Sequence, residues 1–465
     1  MSRSPDLPRR KLGATGLTCH PLGFGGYRIY RGNHPHEEAL RAYLDRGGNL
    51  IDTSANYGDG MSEALIGEVL RDYSREKIVV VTKGGYIQGE NMKLALREDF
   101  PEIVRWGEGL WHCIHPEFLR SQVRRSLERM QLNKVDIYLL HNPEYFLTDQ
   151  AHNGNVAAGH EVLYRRIGEA FRFLENQADE GTISWYGVSS NNFGNPADDP
   201  TATSVSRCLE EARRITKDHR FRVIQLPMNL YERGGALEAN NFGKTALEYC
   251  QAENLGVLIN RPLNAFSRNR LIRLADFTAP GQTPPDRGAL PGILEPLRVH
   301  EQRIARELQL PLLRGGGLAG LMLEIVPQLQ SQSHWEQAAG KYVVEPLQSW
   351  LQEMQGRFAA DPRWQAWVQD LALMVNPLFE EIGHFLAARE QVASDSAREI
   401  LLSAGYPASD QSLSRMALNV LIHIPGVSCV LNGMRRIRYV EDALGVPEIT
   451  PVRGLEILRH LSALQ

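Results

Sequence analysis

Apolar positions along this chain come in short continuous blocks. Runs rich in Val, Ile and Leu recur at 22–25, 49–53, 78–83, 135–141, 184–189, 221–227, 256–262 and 427–432. Continuous rather than alternating, they have the pattern of strands buried on both faces. Helical periodicity fills the gaps between them. Residues 62–73 put Leu65, Ile66, Val69 and Leu70 on one face, with Ser62 as the expected cap. Pro116 opens another helix, with Leu119, Val123, Leu127 and Met130 as its stripe. Further helical patterns cover 164–180, 204–219 and 244–253. Eight buried-type strands with intervening helices predict a parallel α/β fold, and eight favours a closed (β/α)8 TIM barrel. An open doubly wound sheet is the structural alternative.

Such a barrel needs roughly 250 residues, and this chain has 465. The surplus is concentrated between strands 7 and 8. It carries Trp335, Trp350, Trp364 and Trp367, with helical patterns at 343–354 and 364–374. Pro280, Pro284, Pro285 and Pro291 suggest an irregular entry. The region reads as a large, mostly helical insertion on the catalytic rim, its tryptophans as core anchors. The expected domains are 1–265 for the first part of the barrel, 266–411 for the insertion and 412–465 for barrel completion with a C-terminal helix. Ahead of the first strand, 10–13 and 17–20 flank Ala14-Thr15-Gly16 as an N-terminal β-hairpin, placed to close the amino-terminal end of the barrel.

Composition narrows the setting. With 43% apolar and 23% charged residues, the chain has the make-up of a globular protein. A net charge of −4 gives no case for nucleic acid or an anionic membrane as partner. Residues 1–11 are polar and basic, without the apolar stretch of a secretory signal. No run is long and apolar enough to span a membrane. Five scattered cysteines suit a reducing cytoplasm better than a disulfide framework. The expected partner is a small molecule. The insertion could take a protein partner, although no motif supports one.

The chemistry lies at the strand ends. Asp52 closes the second apolar run, Lys83 the third and His141 the fourth, while Tyr57 sits in Ala55-Asn56-Tyr57-Gly58-Asp59-Gly60. In a parallel barrel this carboxyl rim is where active sites form. Taken singly, each has an ordinary structural reading as a cap, solvated charge, core histidine or loop anchor; four at one rim make a site. A free tyrosine has a pKa of about 10. A nearby ammonium lowers it by stabilising the phenolate. Lys83 can supply that charge, with Asp52 holding it in place. Tyr57 then becomes a general acid for a nascent alkoxide, and His141 can donate to the same oxygen. The hydride must come from a nicotinamide or flavin.

These segments resemble the aldo-keto reductase superfamily. Asn49-Leu50-Ile51-Asp52-Thr53-Ser54-Ala55-Asn56-Tyr57-Gly58 is similar to the family's first motif, and Thr82-Lys83-Gly84 and Leu139-Leu140-His141-Asn142-Pro143 to its lysine and histidine motifs. The resemblance covers 9 to about 265 and again about 412–446, but not the insertion. It implies a (β/α)8 barrel, reversible reduction of an aldehyde or ketone, and a nicotinamide cofactor, usually NADPH. Gly187-Val188-Ser189-Ser190-Asn191 resembles the segment whose Ser and Asn hold the carboxamide. Ser189 fits the first place; Ser190 or Asn191 fits the second. Gln225 matches a glutamine with the same task. Asn260-Arg261-Pro262-Leu263 aligns with Tyr/Trp-Ser-Pro-Leu, which puts Asn260 where an aromatic ring usually stacks on the nicotinamide. Gly433, Met434 and Arg435 resemble the segment that grips the adenosine phosphate, with Met434 in place of the usual Ser and Tyr439 in place of a later Arg. Arg435, Arg436 and Arg438 nevertheless favour NADP(H) over NAD(H).

Tyr27, Trp106, Trp111 and His112 are candidates for lining the substrate pocket. Gly315-Gly316-Gly317-Leu318-Ala319-Gly320 has dinucleotide-loop spacing but lacks a preceding strand and is set aside. His112-Cys113-Ile114-His115 has no second ligand cluster, so no metal is expected. The competing reading of function is a nucleotide-binding sensor or regulatory subunit on the same fold, with little turnover. A metal-dependent barrel hydrolase lacks its ligand set.

Overall fold

A computed structural model of the chain describes residues 8–154, 156–267, 270–277, 289–329 and 331–464. The chain divides into two compact units, Met1–Leu274 with Ile400–Gln465, and Ala275–Glu399.

In the first unit, eight parallel strands close into a barrel. They are β1 (Leu22–Gly25), β2 (Leu50–Asp52), β3 (Val79–Gly84), β4 (Val135–His141), β5 (Ile183–Ser189), β6 (Phe221–Pro227), β7 (Gly256–Asn260) and β8 (Cys429–Gly433). Their spatial order follows the sequence, and β8 pairs back onto β1. That closure rules out the open sheet. Helices α1 (His34–Asp45), α2 (Met61–Leu70), α3 (Pro116–Met130), α4 (Val156–Asp179), α5 (Val205–Ile215), α6 (Ala246–Ala252), α7 (Leu413–Ile422) and α8 (Ile437–Leu444) follow β1 to β8 in turn. A terminal helix spans Gly454–Leu464.

Side chains alternate between the faces of a strand, so residues two apart share one. Leu50, Val79, Val81, Ile137, Leu139, Val223, Leu258, Cys429 and Leu431 belong to one buried apolar cluster. One more step of two along β2, β3, β4, β6 and β7 reaches Asp52, Lys83, His141, Gln225 and Asn260. The same faces that build the interior therefore deliver polar groups to its carboxyl end. Register agrees, with Ser189 opposite both His141 and Gln225.

The hairpin closes the other end. Arg10–Lys11 pairs with Thr18–Cys19, and Leu12 is fully buried in the barrel cluster. The Ala14 N–H donates to Asn254 O at 2.8 Å. Gly13 has φ 55° and lies against the Leu255–Gly256 backbone, where a Cβ would collide.

One capping expectation fails. The residue ahead of α2 is Gly60, in a left-handed conformation and without a side-chain cap. Ser62 is buried instead; its hydroxyl donates to Gly26 O at 2.9 Å and lies 2.8 Å from Thr53 Oγ1. It joins the exits of β1 and β2, a long-range use that helical spacing does not signal.

The second unit is helical, with segments Ala289–Leu308, Leu318–Ile325, Gln332–Ala339, Glu345–Phe358 and most of the long Pro362–Ser403. Its tryptophans are core. Trp364 and Trp367 stack at 5.3 Å, and Trp350 meets both edge-on at 5.9 Å. Trp335 packs on Phe379. Each indole N–H finds an acceptor, as burial of that group demands. Pro280, Pro284 and Pro285 lie outside the described residues; Pro291 is in the first turn of Ala289–Leu308. The glycine loop at 315–317 leads into Leu318–Ile325, whose Leu318 and Ala319 N–H groups donate to the Glu301 carboxylate. The chain's own anion occupies the position a phosphate takes in a dinucleotide loop.

Candidate active site

Lys83 is fully buried and organises the rim. Its Nζ lies 2.8 Å from the Asp52 carboxylate, 2.7 Å from Thr53 O and 3.4 Å from Tyr57 OH. The ammonium also stands 4.9 Å from the centre of the Tyr57 ring. Burial pushes the Asp52 carboxyl up and the Lys83 ammonium down, and each partner's charge opposes that shift in the other. The pair needs its own contact to remain ionised.

Tyr57 is positioned by a short turn. Gly58 and Asp59 take φ 56° and 54°, and the Asp59 carboxylate accepts the Glu90 N–H at 3.1 Å. The Tyr57 and His141 rings lie 6.0 Å apart. His141 Nδ1 is 2.9 Å from the Ser54 hydroxyl. Burial, then the nearby Lys83 charge, drives the His141 imidazole well below its usual pKa, so the ring is neutral.

The structure corrects one electrostatic expectation. Tyr57 is held well above the ordinary phenol value, chiefly by burial and then by the Asp52 charge, and is not lowered by Lys83. Burial, which disfavours the phenolate, outweighs the nearby ammonium, whose charge is shared with Asp52. Tyr57 retains its proton across the physiological range.

The cofactor candidates form a connected set. Gln225 Nε2 donates to Asp52 Oδ1 at 2.8 Å, while its Oε1 accepts from Ser189 Oγ at 3.2 Å and Asn260 Nδ2 at 3.1 Å. Asn191 Oδ1 accepts from Arg261 Nη2 at 3.4 Å, and Arg261 pairs with Glu232 at 3.0 Å. Ser190 is spent elsewhere: its hydroxyl lies 2.7 Å from Thr203 Oγ1 and accepts the Asn192 N–H. Of the two alternatives, Asn191 is therefore the one joined to the β7 exit. Asn260 Oδ1 and Arg261 Nε are buried without hydrogen-bond partners among the described residues. An open acceptor beside an open donor suits a primary carboxamide such as that of nicotinamide. Leu263 O accepts the Leu274 N–H, which closes the hairpin of Asn264–Ser267 and Arg270–Arg273.

Gly433, the last residue of β8, is exposed, and Met434 beyond it is fully buried. Arg435 and Arg273 bear on Arg28, whose guanidinium is pushed down by burial and these like charges. Burial, then the Arg435 charge and a smaller share from Arg436, depress His36. Arg438 instead bonds the Tyr439 hydroxyl at 3.1 Å. Sequence reading missed Arg28 and Arg273; Gly25-Gly26-Tyr27-Arg28, directly after β1, was the available signal for the first.

The pocket candidates separate. A three-stranded antiparallel sheet of Tyr86–Ile87, Val104–Gly107 and Leu110–His112 stands between β3 and α3. His112 Nε2 meets His141 O at 2.6 Å, and burial holds its pKa down at about 4. The neutral ring therefore donates Nε2–H to that carbonyl. Tyr27 sets its ring 5.1 Å from Tyr57, with most of its surface exposed. Trp106 meets Tyr145 at 6.2 Å, and Tyr145 stacks on His112. Trp111 is misplaced by the sequence reading. One residue from His112 on a strand, it faces the opposite side and packs with Ile87, Leu94 and Phe118. Tyr86, 4.7 Å from His141 and bonded by Asn142 Nδ2, was not anticipated. No group of three or more His, Cys, Asp or Glu side chains among the described residues is arranged to hold a metal ion, and none of their helices is long and apolar enough to cross a membrane.

Comparison with known proteins fits this geometry. The Aldo/keto reductase family model matches residues 21–277. NADH-specific methylglyoxal reductase of Escherichia coli is 30% identical over 28% of this chain and 40% of its own length. Aldo-keto reductase YhdN of Bacillus subtilis is 31% identical over 47% of this chain and 53% of its own length. The chain thus spans about half the length of these curated relatives. The holo form of an aldo-keto reductase from Bacillus halodurans shares the fold, with a TM-score of 0.50 and 16% identity over 98% of this chain and 96% of the other. The chain belongs to the aldo/keto reductase family.

Proposed function

We propose that this chain reversibly reduces an aldehyde or ketone with a nicotinamide cofactor, Tyr57 supplying the proton. One observation carries the reading: a single buried ammonium, Lys83 Nζ, lies within reach of both the Asp52 carboxylate and the Tyr57 hydroxyl. A bound nicotinamide supplies the hydride. Ser189, Asn191, Gln225, Asn260 and Arg261 are the residues to hold its carboxamide. Asn260 bonds Gln225 and has no ring face to offer, so orientation falls to hydrogen bonds rather than stacking.

The protein's share follows from position and charge. His141, neutral, donates to the carbonyl oxygen and orients it. As negative charge develops there, Tyr57 OH becomes the nearest strong donor and passes its proton across. Its high pKa keeps the hydroxyl protonated until an alkoxide is forming. Lys83 stabilises the phenolate left behind, and Asp52 keeps Lys83 charged and aimed.

NADPH is the favoured cofactor. Arg28, Arg273, Arg435 and Arg436 contribute positive charge around the β1 and β8 exits, which suits an additional phosphate. The relative in Escherichia coli is described as NADH-specific, so both cofactors belong in the assay. NADPH oxidation with a panel of small aldehydes tests the function. Turnover is expected, and Tyr57→Phe should lower it by about a hundred- to ten-thousand-fold while NADPH binding persists. Tight NADPH binding without turnover on any aldehyde refutes the enzyme reading in favour of a sensor.

A further inference from the structure

Ser54 follows β2 and is buried at the rim. Its hydroxyl oxygen lies 2.9 Å from His141 Nδ1, 2.7 Å from Asn56 Oδ1 and 3.3 Å from Lys83 O. Asn56 Nδ2 in turn donates to Gln88 Oε1 at 3.2 Å. Three side chains thus run in series from His141 into the sheet that follows β3.

A hydroxyl has one proton, and a neutral imidazole has one N–H. The choice made at Ser54 is therefore forced on His141. When Ser54 donates to Asn56 Oδ1, Nδ1–H of His141 must donate to Ser54, and Nε2 presents a lone pair. When the Asn56 carboxamide turns end for end, its N–H donates to Ser54. Ser54 is then free to donate to Nδ1, the nearer acceptor at 2.9 Å against 3.3 Å for Lys83 O, and Nε2 carries the proton. Gln88 can turn in the same way to keep its partner. Such a turn exchanges oxygen and nitrogen in place and moves no backbone. Only the second polarity can donate to a carbonyl oxygen, whereas the first would set a lone pair against it.

We propose that Gln88, Asn56 and Ser54 form a relay that selects the His141 tautomer: the proton rests on Nδ1, and when a carbonyl oxygen arrives and the relay reverses, the ring gives that proton up to water and takes one from water at Nε2. These are positioning residues, since none donates to the carbonyl itself. The proposal rests on His141 being the donor to that oxygen, but the tautomer can be read without turnover.

The test is nitrogen NMR of the full chain carrying isotope-labelled histidine, with His141 assigned by comparison with His141→Gln. In the wild type, Nδ1 is expected to carry the proton. Ser54→Ala should free the ring and shift both nitrogens toward an average of the two tautomers. Asn56→Asp introduces a group that only accepts, which holds the Ser54 proton and locks His141 at Nδ1–H. Its kcat for a small aldehyde should fall by roughly a hundredfold, more than that of Ser54→Ala, with NADPH affinity unchanged in both. If Ser54→Ala fails to fold, Asn56→Asp carries the test. A His141 pattern unchanged by Ser54→Ala, a ring protonated at Nε2 or at both nitrogens in Asn56→Asp, or full turnover by Asn56→Asp overturns the proposal. Failure of the carbonyl-reduction reading would show separately, as a wild type that binds NADPH and turns over no aldehyde while the His141 nitrogen pattern still answers to Ser54→Ala.

Discussion

Gln225 Nε2 donates to Asp52 Oδ1 at 2.8 Å, a bond from β6 across the barrel interior to β2. It joins the Asp52–Lys83 pair to the residues proposed to hold the carboxamide in one network, because the Gln225 carbonyl also accepts from Ser189 and Asn260. Gln225→Leu removes a donor and an acceptor together and leaves buried partners unpaired. The expected cost is about 1–3 kcal/mol of stability, read by urea unfolding, with weaker cofactor binding and a lower kcat. A change in KM for the carbonyl alone would contradict the link.

Lys83→Met takes the counter-charge from a buried carboxylate. Breaking such a pair costs about 3–5 kcal/mol. Asp52, already pushed up by burial, would rise further. An acid raised in the folded state contributes stability below its unfolded pKa and loses it as pH rises through the folded one. The variant's deficit against wild type should thus grow from acid to neutral pH in urea titrations. A deficit independent of pH would show that Asp52 does not need Lys83 to stay charged.

Glu144 supplies the clearest pH dependence. Burial lifts its carboxyl to about 7, and although Oε1 accepts the Asn191 N–H at 2.8 Å, Oε2 has no partner among the described residues. The unfolded value is 4.5. The folded protein therefore holds a proton that the unfolded chain releases, and this stability is lost as pH rises from about 4.5 through 7. Glu144→Gln should remove that dependence and gain about 3 kcal/mol relative to wild type by pH 8. Melting temperatures of both proteins between pH 5 and 8 check it; parallel curves would count against a buried neutral carboxyl.

Arg435 lies close enough to Arg28 to lower its pKa, although both are cations. Positive charge gathered at that exit suits an added phosphate. Arg435→Ala should weaken NADPH binding by about tenfold and leave NADH nearly unaffected, measured by fluorescence titration. Equal losses for the two cofactors would remove the case for an added phosphate.

The eight barrel strands were legible because burial on both faces leaves continuous apolar runs, and those runs ended where the chemistry began. Asp52, Lys83 and His141 could be read as strand-end residues from local pattern alone. Ser62 could not, since its hydroxyl serves Gly26 and Thr53 rather than its own helix. Nor could the separation of Trp111 from His112, which depends on which face of a short strand meets the rim.

What the sequence by itself determined is the barrel, its hairpin plug, the helical insertion and the identity of the rim groups, all carried by hydrophobic period and motif spacing. Only the tertiary structure decided the protonation of those groups. Tyr57 stays high and His141 neutral because burial and the Asp52–Lys83 pair set the local field, and desolvation is a property of the surroundings rather than of the residue. The same holds for the Ser54 contact to His141, which joins residues from different strands through a distance that no linear pattern encodes.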